Sequence, residues 1–373
     1  MEIDKLINKP YIKKKLPHLH YISFIKFISM ITIIKWHISI WKEKPIDYGA
    51  RMCEFLFISS GFLVGYNYFL NPMKSDYWQS FSYYYKHLKA FYPLYLINTL
   101  IDIHIHRDIS LNILTNIEIL IINIVMLQSF SRYKELVPCF NGHTWFLSAL
   151  LFSYFLTPFL LNGIKNLKRS LVLFLIISSI RILGEELMIK GAINLFDANF
   201  HYGPIVRMME FYMGMLTIPI YFLIRFYLDK YQNNKIYFKT FFSFIQISLP
   251  IFIYIFMYKF NYIIPRCYFT LIFSLFIIFI GFDYGYLSNI FSSLFFQIVM
   301  NCQMEMYLLQ LNVNYYINLL ITKKHPTNRF SIELEFAFKL IIIFVIGFSY
   351  KKMVKKKLTN ILDKIVLSLI NII

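Results

Sequence analysis

Apolar runs of helical length follow one another along almost the whole chain. About 20 apolar residues make a helix that crosses the roughly 30 Å hydrocarbon core of a bilayer, and only helices or closed barrels satisfy their backbone there. The runs lie near residues 20–41, 51–70, 88–105, 110–129, 144–162, 170–184, 206–224, 240–258, 265–282, 292–320 and 334–350. This pattern predicts an all-α, polytopic bundle of transmembrane helices.

The basic residues between the runs predict an orientation, because positively charged loops stay on the cytoplasmic side. Lysine and arginine cluster before the first run, near 165–169 and 225–239, and after residue 350. All these clusters are cytoplasmic if the run 110–129, which polar residues interrupt, lies along the outer surface. We therefore expect about ten spans with both termini in the cytoplasm, although one basic loop near 323–329 then lies outside.

No linker, repeat or soluble segment divides the chain. Residues 1–350 are expected to form one transmembrane domain. Residues 351–373 read as a basic amphipathic tail on the inner leaflet, where lysines attract anionic lipid.

Composition excludes several classes of protein. With 58% hydrophobic and 16% charged residues, the chain has too little charge to cover a soluble domain, so a multi-pass protein of the bacterial inner membrane or plasma membrane is expected. The net charge of +18 does not indicate nucleic acid, since the lysines fall in loops between apolar runs. The four cysteines are far apart with no ligand spacing, so no metal site is predicted.

Two ionisable residues stand on one face of the first run. Lys26 and His37 are eleven residues apart, which is close to three helical turns. A charged side chain at the centre of a span costs about 2.5–3.5 kcal/mol, so each such residue is a candidate for function. An imidazole accepts a proton from a hydroxyl near neutral pH, and a lysine holds an anion or a carbonyl. A packed, hydrogen-bonded histidine is the alternative, and it stays open.

Two further patterns have a structural and a functional interpretation. Ser60 and Gly61 are small residues that let a neighbouring helix approach closely. Lys86 and Lys89 are three residues apart and form a two-cation patch on a helix. This patch suits a phosphate-bearing donor, and it equally suits the rule for positively charged cytoplasmic loops.

Taken in order, these pieces resemble the acyltransferase 3 family of membrane O-acyltransferases, which modify envelope polysaccharides and lipid-linked sugars. The resemblance covers most of the chain, and no single motif in it is specific. The residues that carry it are Lys26 and His37, then Ser60-Gly61-Phe62, then Lys86, Lys89 and the string from Phe91 through Tyr92 to Tyr95, then Trp145 and Ser148 with Tyr154 and Pro158, then Arg207, Glu210, Phe211 and Gly214, and finally Met306 to Gln310.

The chain departs from the family pattern at five positions. Lysine replaces arginine at Lys26, Lys86 and Lys89, which keeps the charge but loses the bidentate fork of the guanidinium. Leu150 stands where many members carry glutamate, and Gln310 stands where histidine is common. A chain that keeps the fold with little turnover is therefore an open possibility.

The resemblance implies a transferase that delivers an acyl group from acyl-CoA, with acetyl-CoA as the expected donor, to a hydroxyl of an envelope glycan or lipid-linked sugar. It implies no permanently bound cofactor, and its partners are acyl-CoA, the sugar acceptor and membrane lipid. His37 is expected to act as general base or as transient acyl carrier, and Lys26 to orient the thioester or stabilise the oxyanion. Lys86, Lys89 and Tyr92 are expected to bind the donor.

Two other classes remain. A transporter or flippase of lipid-linked oligosaccharide would use Lys26, His37 and Arg181 as a substrate path. Such a protein works without acyl-CoA, so thioester consumption separates it from the transferase. A polysaccharide polymerase would carry a long outer loop, whereas the longest loop here, near 185–205, is short.

Overall fold

The structure is a computed structural model that describes residues 18–39, 48–70, 73–105, 113–130, 142–190, 203–230, 235–260, 265–324 and 332–370. Within these ranges every regular element is a helix and no β-strand occurs, which confirms the all-α prediction. The predicted basic N-terminal segment lies outside the described residues. So do parts of the loops near 185–205 and 323–329, and the last three residues of the predicted tail.

The α-helices of the described ranges are numbered in chain order: α1 His20–Ser39, α2 Tyr48–Leu70, α3 Tyr77–Leu88, α4 Tyr92–Ile105, α5 Ile113–Ile124, α6 Trp145–Leu160, α7 Leu167–Ile189, α8 Pro204–Leu216, α9 Ile218–Lys230, α10 Lys235–Phe260, α11 Arg266–Ile280, α12 Tyr286–Phe291, α13 Leu294–Asn301, α14 Gln303–Lys324, α15 Ile332–Met353 and α16 Lys355–Ile370. Short 3₁₀ turns occupy Gln128–Phe130, Gly142–Thr144 and Leu161–Lys165.

Four segments of the described ranges are long and apolar enough to cross a bilayer. They are His20–Ile38, Gly142–Lys165, Pro204–Lys230 and Ile236–Phe260. By length and composition they mark the chain as a membrane protein. Helices α2, α7, α14 and α15 have 22 or 23 residues, about 33 Å, but are more polar because they carry buried charges.

The third predicted run, 88–105, becomes helical only from Tyr92, and a separate helix precedes it. Helix α3 ends at Leu88, and α4 begins at Tyr92 after a turn. Pro93 explains the break, because it has no backbone N–H to donate to the carbonyl four residues earlier, that of Lys89. Proline near the start of a helix is well tolerated, so α4 begins there.

Two further predicted boundaries differ from the structure. The run 292–320 is divided into α13 and α14 at Cys302, whose backbone N–H bonds to Val299 three residues back instead of four. The predicted tail begins inside a helix, since α15 continues to Met353 before the amphipathic α16.

Helix α2 packs between α1 and α8, and two glycines allow the close crossing with α8. A Cβ atom at Gly61 would lie 1.8 Å from the carbonyl oxygen of Phe211, and one at Gly214 would lie 1.9 Å from that of Ile58. At each glycine the backbone of one helix therefore lies directly against the backbone of the other. This crossing sets the positions of Ser60 on α2 and Glu210 on α8.

Candidate active site

A group of four side chains, which we call the histidine cluster, forms where α1, α14 and the turn before α6 meet. It consists of His37, His143, Tyr307 and Gln310. The Nδ1 atom of His37 lies 3.0 Å from the Oε1 atom of Gln310, and the rings of His37 and His143 are 6.0 Å apart between centroids. Gln310 and His143 are buried, whereas His37 is only partly buried. The cluster thus brings together three separate parts of the chain.

The contact with Gln310 sets the tautomer of His37. An amide oxygen only accepts hydrogen bonds, so in this orientation of the amide Nδ1 carries the proton. The Nε2 atom of His37 then keeps its lone pair. A neutral imidazole of this kind can accept a proton or attack a carbonyl.

The backbone around His143 is fixed by two neighbours. Tyr307 donates its hydroxyl hydrogen to the carbonyl of His143, and the two rings pack with centroids 5.0 Å apart. The next residue, Thr144, accepts a hydrogen bond of 3.0 Å from Nε2 of Gln128. The imidazole of His143 is therefore held beside His37 by an ordered turn.

Lys26 lies on the same helix as His37 but at another depth. Eleven residues at about 1.5 Å each separate the two Cα atoms by about 16 Å along α1. The ammonium of Lys26 donates to the hydroxyl of Ser60 at 3.2 Å. The structure therefore brings Lys26 to the Ser60-Gly61 crossing and not to the histidine cluster.

A buried network of arginine and glutamate residues accounts for the predicted motif on α8. Glu210 accepts hydrogen bonds from Arg207 at 2.7 Å and from Arg181 of α7 at 2.8 Å. On α2, Arg51 donates to Glu54 at 2.9 Å. All five side chains are at most 4% exposed, so each charge depends on its partners rather than on water.

Trp145 joins this network to the histidine cluster. The guanidinium of Arg207 lies 5.4 Å from the centroid of the Trp145 ring, which directly follows the turn of His143. Ser148, one turn further along α6, forms a hydrogen bond of 2.7 Å with the hydroxyl of Ser129. Phe62, in contrast, packs edge-on against Tyr221 in the apolar core.

The two predicted donor-binding lysines sit in different surroundings. Lys86 is exposed near the end of α3. Lys89, in the following turn, bonds at 3.2 Å to both carboxylate oxygens of Asp363 on α16. Tyr85 donates to the same carboxylate at 2.7 Å. These hydrogen bonds from Tyr85 and Lys89 lower the pKa of Asp363 below its usual value of 3.8.

Tyr92 has a partner of its own. Its hydroxyl donates to the carbonyl of Ile124 at 2.8 Å, and the neighbouring Tyr95 donates to that of Asn123 at 2.7 Å. Both bonds attach α4 to the end of α5. The hydroxyl of Tyr92 is thus used in a contact between helices.

Several residues of these sites were not selected from the sequence. His143 stands two residues before Trp145, and Arg51 and Glu54 repeat the i, i+3 spacing of Arg207 and Glu210, so local signals existed. Asp363 had no such signal.

A second buried polar group lies between α14 and α15. Lys339, only 1% exposed, binds Asn314, Asn318 and Glu335 at 2.6–2.7 Å. Leu150, at the position where the family often has an acid, is buried in the apolar core. Within the described ranges no group of three or more histidine, cysteine, aspartate or glutamate side chains could hold a metal ion.

Comparisons of the chain with protein-family models, with curated proteins and with solved structures find no match.

Proposed function

We propose that the chain is a membrane-embedded O-acyltransferase, which transfers an acyl group from acyl-CoA to a hydroxyl of an envelope glycan or lipid-linked sugar. The observation that carries this proposal is the imidazole of His37, which is oriented by Gln310 and faces His143 within an apolar bundle. With Nε2 unprotonated, His37 can take a proton from the acceptor hydroxyl or take the acyl group from the thioester.

Motif residues that are far apart in sequence form contacts in pairs. Lys26 bonds to Ser60, and Arg207 lies over the ring of Trp145. Arg207 and Trp145 lie beside the histidine cluster, whereas Lys26 and Ser60 lie further along α1, so these contacts support a site that extends along the helix from Lys26 to His37.

The separation of Lys26 from His37 suggests how the roles are divided. We propose that Lys26 helps to position the donor, since its ammonium lies too far along α1 to reach a carbonyl held at His37. The amide nitrogen of Gln310 is buried beside His37 and has no hydrogen-bond partner among the described residues. An amide donor in that position suits the oxyanion of the transition state.

The donor is proposed to reach the site from the lysines at the end of α3. CoA carries several phosphate charges, and Lys86 is exposed to receive them. The hydroxyl of Tyr92 is bonded to Ile124, so we propose that Tyr92 contacts the donor through its ring. We propose acetyl-CoA as this donor.

We also propose about ten spans with both termini in the cytoplasm, in a bacterial inner membrane or plasma membrane. Among the described residues α5 ends at Ile124, before the end of the predicted run 110–129, and this supports a surface position for the helix. The exposed apolar residues Ile361 and Ile365 beside lysines support binding of α16 to the inner leaflet. A reporter fused to the C-terminus should be active only in the cytoplasm, and periplasmic activity would refute this orientation.

The central test measures thioester consumption and ester formation together. Membranes that contain the protein should release CoA from acetyl-CoA, and deletion of the gene should remove an alkali-labile ester from the surface polysaccharide. The His37→Gln variant should lose both activities, by a factor of about 10²–10⁴, because the imidazole is gone. His104, an exposed histidine on α4, offers the control His104→Gln, which should act normally. Normal activity of His37→Gln would refute the mechanism.

A transporter or flippase of lipid-linked oligosaccharide is the second candidate. It is favoured by the buried group around Lys339, since ionisable residues inside membrane helices often line substrate paths. Transport in membranes depleted of acyl-CoA, with no thioester consumed, would support this candidate over the transferase.

A further inference from the structure

His143 is a second imidazole at the proposed site, and the function proposed above does not yet use it. It lies in the turn Gly142–Thr144 and is 4% exposed, and its ring centroid is 6.0 Å from that of His37. Neither ring nitrogen of His143 forms a hydrogen bond of good geometry, although main-chain groups of Tyr307 and Leu308 lie nearby. A buried polar ring without a firm partner usually calls for an explanation.

The two rings differ in how their nitrogen atoms are occupied. His37 has one nitrogen bound to Gln310 and one that keeps its lone pair. Both nitrogens of His143 lack a strong partner, so no contact fixes its tautomer, and whichever nitrogen is unprotonated can take up a proton. Two imidazoles in such different surroundings suit two different tasks in one reaction.

We propose that His37 carries the acyl group while His143 is the catalytic base that activates the acceptor hydroxyl. This inference rests on the proposed acyl transfer and decides between the two roles that were left open for His37.

In the first step Nε2 of His37 attacks the thioester carbonyl, so that a C–N bond forms, the C–S bond breaks and CoA leaves as a thiolate. The acylated ring of His37 then carries the positive charge that balances this thiolate. In the second step the acceptor oxygen attacks the acyl carbon, its proton moves to His143, and the C–N bond to His37 breaks. His143 finally returns the proton to the thiolate, which gives the ester and CoA with a free thiol.

The two rings lie close enough to act on one acceptor group. A general base must lie within hydrogen-bond reach of the proton it accepts, at about 2.6–3.2 Å, and the attacking oxygen must also reach the acyl group. Rings whose centroids are 6.0 Å apart in an edge-to-face arrangement are in packing contact, so an acceptor oxygen that meets both conditions lies at the shared edge of the pair and not between the rings. Lys26, about 16 Å away along α1, meets neither.

The alternative is that His143 only packs against Tyr307. Two substitutions separate packing from proton transfer. His143→Phe keeps a flat ring of similar size but removes the nitrogens, and His143→Gln keeps polarity but removes the base. If packing were the whole role, His143→Phe would remain active.

The test uses the full-length protein in membranes, with radiolabelled acetyl-CoA as donor, and measures label on the protein after an acid quench. The surface ester is measured in cells that lack the native gene and express each variant. For His143→Phe and His143→Gln we expect label to accumulate on His37 while the ester falls about 100-fold. His37→Gln should give neither label nor ester, and the exposed control His104→Gln should match the wild type.

Each other outcome is informative. Normal ester in the His143→Phe strain would overturn the proposal. Loss of both label and ester in a variant that melts at the wild-type temperature would also overturn it, because His143 would then act before acyl transfer to His37. Absence of label and ester in the wild type would instead refute the proposed function itself.

Discussion

The histidine cluster and the lysine patch, defined as Lys86 and Lys89, differ in how firmly their side chains are held. His37 and His143 lie inside the bundle, where Gln310, Tyr307 and an ordered turn fix them. Lys86 is exposed, and Lys89 is 36% exposed and shares Asp363 with Tyr85. Groups that must stabilise a transition state benefit from such preorganisation, whereas groups that capture a charged donor can remain mobile and screened by water.

Substitutions in the two regions should therefore impair the protein in different ways. The buried network of arginine and glutamate that Trp145 joins to the histidine cluster is held equally firmly, and removal of one partner from it leaves an uncompensated charge and destabilises the fold. Removal of an exposed cation changes only a screened interaction, so binding weakens while the fold remains. Stability measurements should therefore respond to substitutions of the buried groups, and kinetic measurements of donor binding should respond to substitutions of the exposed lysines.

The largest effect on stability is expected for Glu210→Gln. This carboxylate accepts from Arg207 and Arg181, and its loss would leave two buried guanidinium groups without their shared anion. We expect a loss of about 3–5 kcal/mol in the free energy of unfolding. Thermal unfolding of the purified protein, followed by size-exclusion chromatography, would measure it.

The control for this substitution is Glu186→Gln on α7. Glu186 forms an exposed i, i+4 pair with Lys190 at 3.5 Å, with side-chain exposures of 45% and 71%. Such pairs contribute about 0.3–0.5 kcal/mol, so this variant should melt close to the wild type. Equal melting of the Glu210 and Glu186 variants would mean that the arginine and glutamate network does not stabilise the bundle.

The helical content of these regions was predictable from the sequence, because apolar runs of span length leave the backbone few alternatives. The break before α4 follows from Pro93, which is a local signal that the run-length argument passed over. The break at Cys302 carries no proline or glycine, so nothing local marks it. The number of spans and the side on which the termini lie stay predictions.

The composition of the site was only partly predictable. Spacing on one helix indicated that Lys26 and His37 share a face, but their difference in depth limits what they can do together. His143 is recognised as a site residue only through its ring contact with His37, which lies in another part of the chain. The same is true of Asp363, which meets Lys89 across 274 positions of sequence. Such contacts depend on packing and not on periodicity.

An intermediate effect is expected in the lysine patch. The double variant Lys86→Ala, Lys89→Ala should raise KM for acetyl-CoA about tenfold with little change in kcat, because two phosphate contacts are lost. The increase should shrink as salt is added, since exposed charges are screened. Steady-state kinetics in membranes would measure both.

The matched control removes two exposed lysines from α16. Lys356→Ala, Lys357→Ala changes the net charge equally, so a similar rise in KM would mean that only the overall charge attracts the donor. Arginine at positions 86 and 89 sharpens the test, because its planar fork binds phosphate bidentately. The variant Lys86→Arg, Lys89→Arg should lower KM, and a rise would contradict phosphate binding at the patch.

The smallest effect is expected for Asp363→Asn, which breaks the contact of α16 with the lysine patch. Lys89 would then be free for the donor, so KM for acetyl-CoA should fall about two- to threefold, the scale of a weak exposed pair. Because hydrogen bonds lower the pKa of Asp363, its carboxylate stays ionised across the neutral range, and the contact weakens on the acidic side as pH falls through the lowered pKa. The fall in KM should therefore be constant across the neutral range. A fall in KM that disappears between slightly acidic and slightly basic pH would assign the effect to another group. An increase in KM would mean that Asp363 positions Lys89 for the donor instead of competing with it.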